Sequence, residues 1–274
     1  MCSFRVIEGP GDKSAAPRTF VNPVVPVITE REEPQQLVDI FTDEDVIFYK
    51  GYELRRCVQA IGRERAPTIE VSCALLIKNG QTLFQFDGVY FSEGNSTEFG
   101  LFNLLGNDSQ QFIISQTAPR TGRHWVVDVS SGARVIFDSS DYSAGREEFY
   151  IIDLDKDGVY EISLPVTAFY GMQDKMYIGE IPLPELIFKY DAKVRNYVRA
   201  NHLFPDYTLH GIERDIEQLG DDDGNYLSKR LDILLRYTFA GKWDEGWAFF
   251  NREYQRSDKD EIKTRIVGIL KQDL

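Results

Sequence analysis

Apolar residues change their spacing along the chain, and the change marks its organisation. From about residue 45 to 205 they come in short runs rich in β-branched and aromatic side chains, such as VIFY (46–49) and TIEVSCALLI (68–77). Such runs predict strands. Asn79-Gly80 separates LLIK from QTLFQF, a strong hairpin signal. A second hairpin is predicted from WVVDV and ARVIF around Ser130, Ser131 and Gly132, and a third from ELIFKY and NYVRA around Asp191, Ala192 and Lys193.

The hairpins recur about every 50 to 60 residues, which predicts an internal repeat. Between them lie FNLLGNDSQQFIISQT (102–117) and YIIDLDKDGVYEISLPVT (150–167), each reading strand, acidic turn, strand. Aligning the acidic residues matches Asp108 with Asp157 and Ile113 with Ile162; a one-residue shift then brings Thr117 onto Thr167.

After residue 206 the spacing becomes helical. Leu227, Leu231, Leu234 and Leu235 form one stripe and Gly241 stops it. Trp243, Trp247, Phe250 and Tyr254 form a second, and Ile262, Ile266 and Ile269 a third. Asp258 with Glu261 predicts a capping box for the last helix, and the run DDDGNY (221–226) predicts a cap for the first. Short connections predict antiparallel neighbours. The expected fold class is therefore α+β: an antiparallel β-repeat region, partly propeller-like or sandwich-like, followed by a small helical hairpin or bundle. The boundaries are an extended arm at 1–42, the β region at 43–205 and the helices at 206–274, with a short helix over QQLVDIF after Pro34.

Composition narrows the function classes. A net charge of −13 disfavours a nucleic-acid partner. No apolar run reaches the length of a transmembrane helix. The three cysteines fit no metal spacing and no disulfide framework, so Cys57 and Cys73 read as half-buried thiols. Cys2, followed by a polar stretch with Pro10, Pro17, Pro23 and Pro26, looks like the lipid tether of a processed bacterial lipoprotein; an ordinary cytosolic start fits the same residues. Common hydrolase and nucleotide-binding motifs are absent from the sequence, and His124, His202 and His210 have no ligand spacing.

The candidate chemistry lies in DLDKDGVYE (153–161). Calcium takes six to eight oxygen ligands, and carboxylates at alternate positions of a tight loop converge on one point. Asp153, Asp155 and Asp157 hold the first, third and fifth positions, Gly158 the sixth, the Val159 carbonyl the seventh and Glu161 the ninth. Leu164 stands where an EF-hand needs a bidentate Glu, and the flanks read as strands. On these residues the stretch resembles the calcium loops of FG-GAP and VCBS-type β repeats. The resemblance implies a structural Ca2+ held by Asp153, Asp155, Asp157, Val159 and Glu161. The stretch LLRYTFAGKWDEGWAFFNREYQ (234–255) resembles one tetratricopeptide repeat, which implies a helical hairpin over about 227–256. The favoured reading is a hairpin that packs on or caps the β region, and the alternative is a docking surface with Trp243 and Trp247 as anchors. The expected protein is a noncatalytic, calcium-stabilised structural or interaction protein of the cell envelope or exterior, alone or as a subunit of a larger assembly. The alternative is a metal-dependent hydrolase with an acidic cleft.

Overall fold

A computed structural model describes residues 35–36, 40–63, 66–87, 96–118, 121–142, 149–220 and 225–272. Expectations for the arm before residue 35, the Cys2 tether and Asp221–Asp223 lie outside the described residues. The strands are β1 (Gln35–Gln36), β2 (Val46–Tyr49), β3 (Tyr52–Arg63), β4 (Ala66–Lys78), β5 (Gln81–Phe86), β6 (Ser96–Phe102), β7 (Gln111–Ala118), β8 (Thr121–Asp128), β9 (Arg134–Asp138), β10 (Tyr150–Ile152), β11 (Glu161–Pro165), β12 (Glu185–Asp191) and β13 (Asn196–Arg199). They form three antiparallel sheets in sequence order: β2-β3-β4-β5, β6-β7-β8-β9, and β10-β11-β12-β13 with β1 added beside β10. The fold class is the expected one, an antiparallel β region followed by helices.

Period-two alternation explains how the sheets stack. On β7 and β8, Phe112, Ile114, Trp125 and Val127 pack with Leu54, Leu76 and Phe86 of the first sheet. Their neighbours Ile113 and Val126 pack with Ile151, Ile162, Leu186 and Phe188 of the third. The middle sheet is thus covered on both faces, which is why its strands read as nearly continuous apolar runs. Each such side chain, fully buried, contributes about 1.5–3 kcal/mol. All three anticipated hairpins form, and Asn79 and Gly80 adopt φ of 52° and 76°, the left-handed pair of a type I′ turn.

The structure corrects two expectations in the β region. The predicted helix after Pro34 is absent among the described residues of that stretch: Gln35 and Gln36 pair with Ile151 and Tyr150 of β10. The Thr42 N–H then bonds the Phe99 carbonyl at 3.0 Å, so this segment satisfies backbone on two sheets, which a free helix would leave open. Cys57 and Cys73 are not thiols. They face each other across β3 and β4 with Cα atoms 4.8 Å apart and are joined as a disulfide.

The helices are α1 (Pro205–Thr208), α2 (Ile212–Glu217), α3 (Tyr226–Phe239), α4 (Trp243–Glu253) and α5 (Lys259–Gln272). Leu227, Leu231, Leu234 and Leu235 of α3 pack against Phe249 and Phe250 of α4 and Ile262 and Ile266 of α5. The same core takes Phe169, Met172, Met176 and Ile181 from the segment between β11 and β12. Gly246 lets α4 approach α3 closely: an added Cβ would fall 2.9 Å from the Tyr237 Cβ. Arg230 is buried and its guanidinium donates to the carbonyls of Tyr226 and Glu253, tying α3 to the end of α4. Asp258 and Glu261 serve other partners than the expected capping box. The Asp258 carboxylate accepts the Tyr254 hydroxyl, and Glu261 pairs with Lys175 at 2.9 Å.

Candidate cation-binding loop

The loop between β10 and β11 folds around its own carboxylates. Asp153 Oδ1 and Oδ2 accept the backbone N–H groups of Asp157 and Gly158, both at 3.1 Å. Asp157 Oδ1 accepts the Val159 N–H at 2.8 Å, and Glu161 Oε2 the Leu154 N–H at 2.9 Å. Gly158, at φ 81°, makes the reversal that leads into β11. Asp153, Asp155 and Glu161 each bring a carboxylate oxygen within 4.8 Å of the others. Two like charges at that separation repel by roughly 3.5 kcal/mol at an effective dielectric of about 20, so the cluster needs a positive partner.

That partner is Lys189, which the sequence reading did not single out. It follows Phe188, the β12 residue paired with Ile162, and so stands beside Glu161. Its Nζ donates to Asp155 Oδ2 at 2.7 Å, Glu161 Oε1 at 2.8 Å and Asp157 Oδ2 at 2.9 Å. Burial alone would lower the Lys189 pKa, but the bonds to Asp155, Glu161 and Asp157 outweigh it and raise the ammonium above its ordinary value. Burial pushes the Glu161 carboxyl up despite the lysine, and the Lys189 hydrogen bond holds Asp157 low. The structure thus brings together Asp153, Asp155 and Glu161, joins Asp157 to Asp155 and Glu161 through Lys189, and places Val159 in the loop as a donor to Asp157.

A second copy of this loop lies beside the first. Between β6 and β7, the Leu104 N–H donates to Gln111 Oε1 at 2.8 Å, and the Ser109 N–H to Asn107 Oδ1 at 2.9 Å. These are the Leu154–Glu161 and Val159–Asp157 bonds displaced by fifty residues. Gly106 and Lys156, at the matching position, share left-handed backbone with φ of 62° and 59°. The alignment on acidic residues was therefore one residue out: Asn107, not Asp108, corresponds to Asp157, and Thr117 meets Thr167 without a shift. Asn103, Asn107 and Gln111 stand where the acidic loop has Asp153, Asp157 and Glu161. Asp128, after Val127, stands where it has Lys189. The two loops also touch: the Tyr160 N–H donates to the Leu104 carbonyl at 2.8 Å.

The chain matches no protein-family model, and neither a curated protein nor a solved structure matches it. The functional reading rests on the loop itself. A cavity of about 320 Å3 lies elsewhere, lined by residues that include Glu180, Asp215, Ser228 and Asp232, and no residue of the acidic loop borders it.

Proposed function

We propose that the protein is a noncatalytic structural or interaction protein whose β-repeat region is braced by Ca2+ at the 153–161 loop. Asp153, Asp155, Asp157, the Val159 carbonyl and Glu161 would hold the ion. The observation that carries this reading is the related loop at 103–111. Asn107 and Gln111 make the same backbone bonds as Asp157 and Glu161, so those two bonds need no carboxylate. Asp153, Asp155 and Glu161 bring oxygens within 4.8 Å of one another and Asp157 joins two of them through Lys189, so the excess of carboxylates over the single lysine is explained by a cation of higher charge. The donor set is all oxygen, which suits a hard ion. Both oxygens of Asp153, Asp157 and Glu161 hydrogen-bond to backbone or to Lys189, which fits a bracing role better than a reactive one.

An envelope or extracellular setting, where calcium is abundant, goes with this function. The Cys57–Cys73 disulfide supports it, because such bonds persist in oxidising compartments. Trp243, 43% exposed, and its neighbour Trp247 offer aromatic anchors for a protein partner on the helical side.

Thermal unfolding with millimolar calcium and with chelator tests the proposal. Calcium at about 100 times its Kd adds about 2.7 kcal/mol, which raises the midpoint of a chain this size by roughly 5 °C. Asp155→Ala is the informative variant, because the bonds of Asp155 go to Lys189 and spare the turn. It should abolish the shift. Equal midpoints with calcium and chelator in the wild-type chain would end the calcium reading.

A further inference from the structure

We infer that Lys189 is the loop's built-in cation: its ammonium takes the place of a divalent ion when none is present and must leave when one binds. The inference rests on the calcium reading above and specifies how the site is regulated. The ammonium meets Asp155, Asp157 and Glu161 at 2.7, 2.9 and 2.8 Å, the loop's third, fifth and ninth positions. A metal ion sharing those oxygens cannot share that volume with Nζ. Hydrogen bonds of Asp153 to the backbone already shape the turn, so the metal-free loop keeps its form while the lysine neutralises part of the charge.

The comparison within the chain makes the pairing specific. Where the loop carries Asn103, Asn107 and Gln111, the matching place on the next strand is Asp128, whose carboxylate accepts from Ser130. Where the loop carries Asp153, Asp157 and Glu161, that place is Lys189. At these matched positions, then, lysine accompanies the carboxylates in one loop, and amides accompany Asp128 in the other. The lysine stem is long and flexible, and the side chain is 23% exposed, so an exit to solvent costs little rearrangement. Exchange makes the loop a calcium brace of deliberately reduced affinity, one that stays folded when calcium falls.

Two measurements on the full chain test this. The first is acetylation of lysines by an N-hydroxysuccinimide ester, read by mass spectrometry with and without millimolar calcium. Labelling at Lys189 should rise several-fold with calcium, while the other lysines stay constant. The second is calcium titration of Lys189→Met, with Lys189→Gln as the milder variant. Either should bind calcium at least about tenfold more tightly than wild type and have a lower midpoint in chelator that calcium restores. Unchanged affinity in both variants, or unchanged labelling in a wild-type chain that does bind calcium, would overturn the exchange and leave the calcium brace standing. Tight binding by the variants alone would support Lys189 as the resident cation and overturn calcium as the wild-type brace. Binding by none of the three chains would overturn both.

Discussion

At the scale of single residues, the molecule depends on the contact between its two related loops. Gly106 is left-handed at φ 62°, and a Cβ there would fall 2.3 Å from the Gly158 carbonyl oxygen. The space requires glycine; the left-handed backbone favours it, although Lys156 holds the same conformation at the matching position. Gly106→Ala is expected to destabilise the chain by about 2–4 kcal/mol, from backbone strain plus a backbone clash that no rotamer relieves. Chemical denaturation with an unchanged m-value would record it. The same change at Gly51, left-handed at φ 76° with nothing within 4 Å of the added carbon, meets no clash and serves as a control for the strain of positive φ alone. Asp153, Asp155, Asp157 and Glu161 were legible in sequence because their spacing encodes their convergence. Lys189 was not, since its role comes from the register that places Phe188 opposite Ile162. That register was the available signal: ELIFKY was recognised as a strand, and pairing it with YEISL brings its lysine beside Glu161.

At the scale of elements, α5 is held by charge as well as by its apolar stripe. Arg265 clamps both oxygens of Asp174, at 2.7 and 2.8 Å, and also donates to the Gly171 carbonyl. The Arg265 hydrogen bond holds the Asp174 carboxyl below the usual carboxylate range. A carboxyl lowered on folding gives stability that is complete above its unfolded pKa, about 3.9, and disappears as pH falls through its folded value. Wild type should therefore lose this contribution only below about pH 4. Arg265→Met should show a lower midpoint at neutral pH and a shallower decline on acidification, measured as unfolding midpoint against pH. Parallel curves for the two chains would show that the pair does not couple folding to protonation. The disulfide shows how strand pairing decides what spacing cannot. Cys57 lies six residues before the end of β3 and Cys73 seven after the start of β4; the register shift between Ile61 and Arg63 absorbs the extra residue and sets the two opposite each other. The run YELRRCVQA, interrupted by Glu53, Arg55 and Arg56, gives no clear strand signal.

At the scale of the whole molecule, three meanders stack in chain order and the helices share a core with the segment between β11 and β12. The fold class was legible because the strands read as short β-branched and aromatic runs and α3, α4 and α5 each carry an apolar stripe. The true register of the repeat was hidden for a chemical reason. Asn and Gln replace Asp and Glu while making the same bonds, so matching by charge selected Asp108 over Asn107. The short helical turn at Ala168–Met172 has no long periodic pattern, and the burial of Phe169 and Met172 comes from packing into the helical core. The central claim is that the acidic loop exists to hold a cation, and a crystal structure grown in millimolar calcium tests it most directly. The account predicts an ion with oxygens of Asp153, Asp155, Asp157, Val159 and Glu161 at about 2.3–2.6 Å, and the Lys189 ammonium withdrawn from them. Lys189 still bonded to Asp155, Asp157 and Glu161, with no ion between the carboxylates at that calcium concentration, would contradict it.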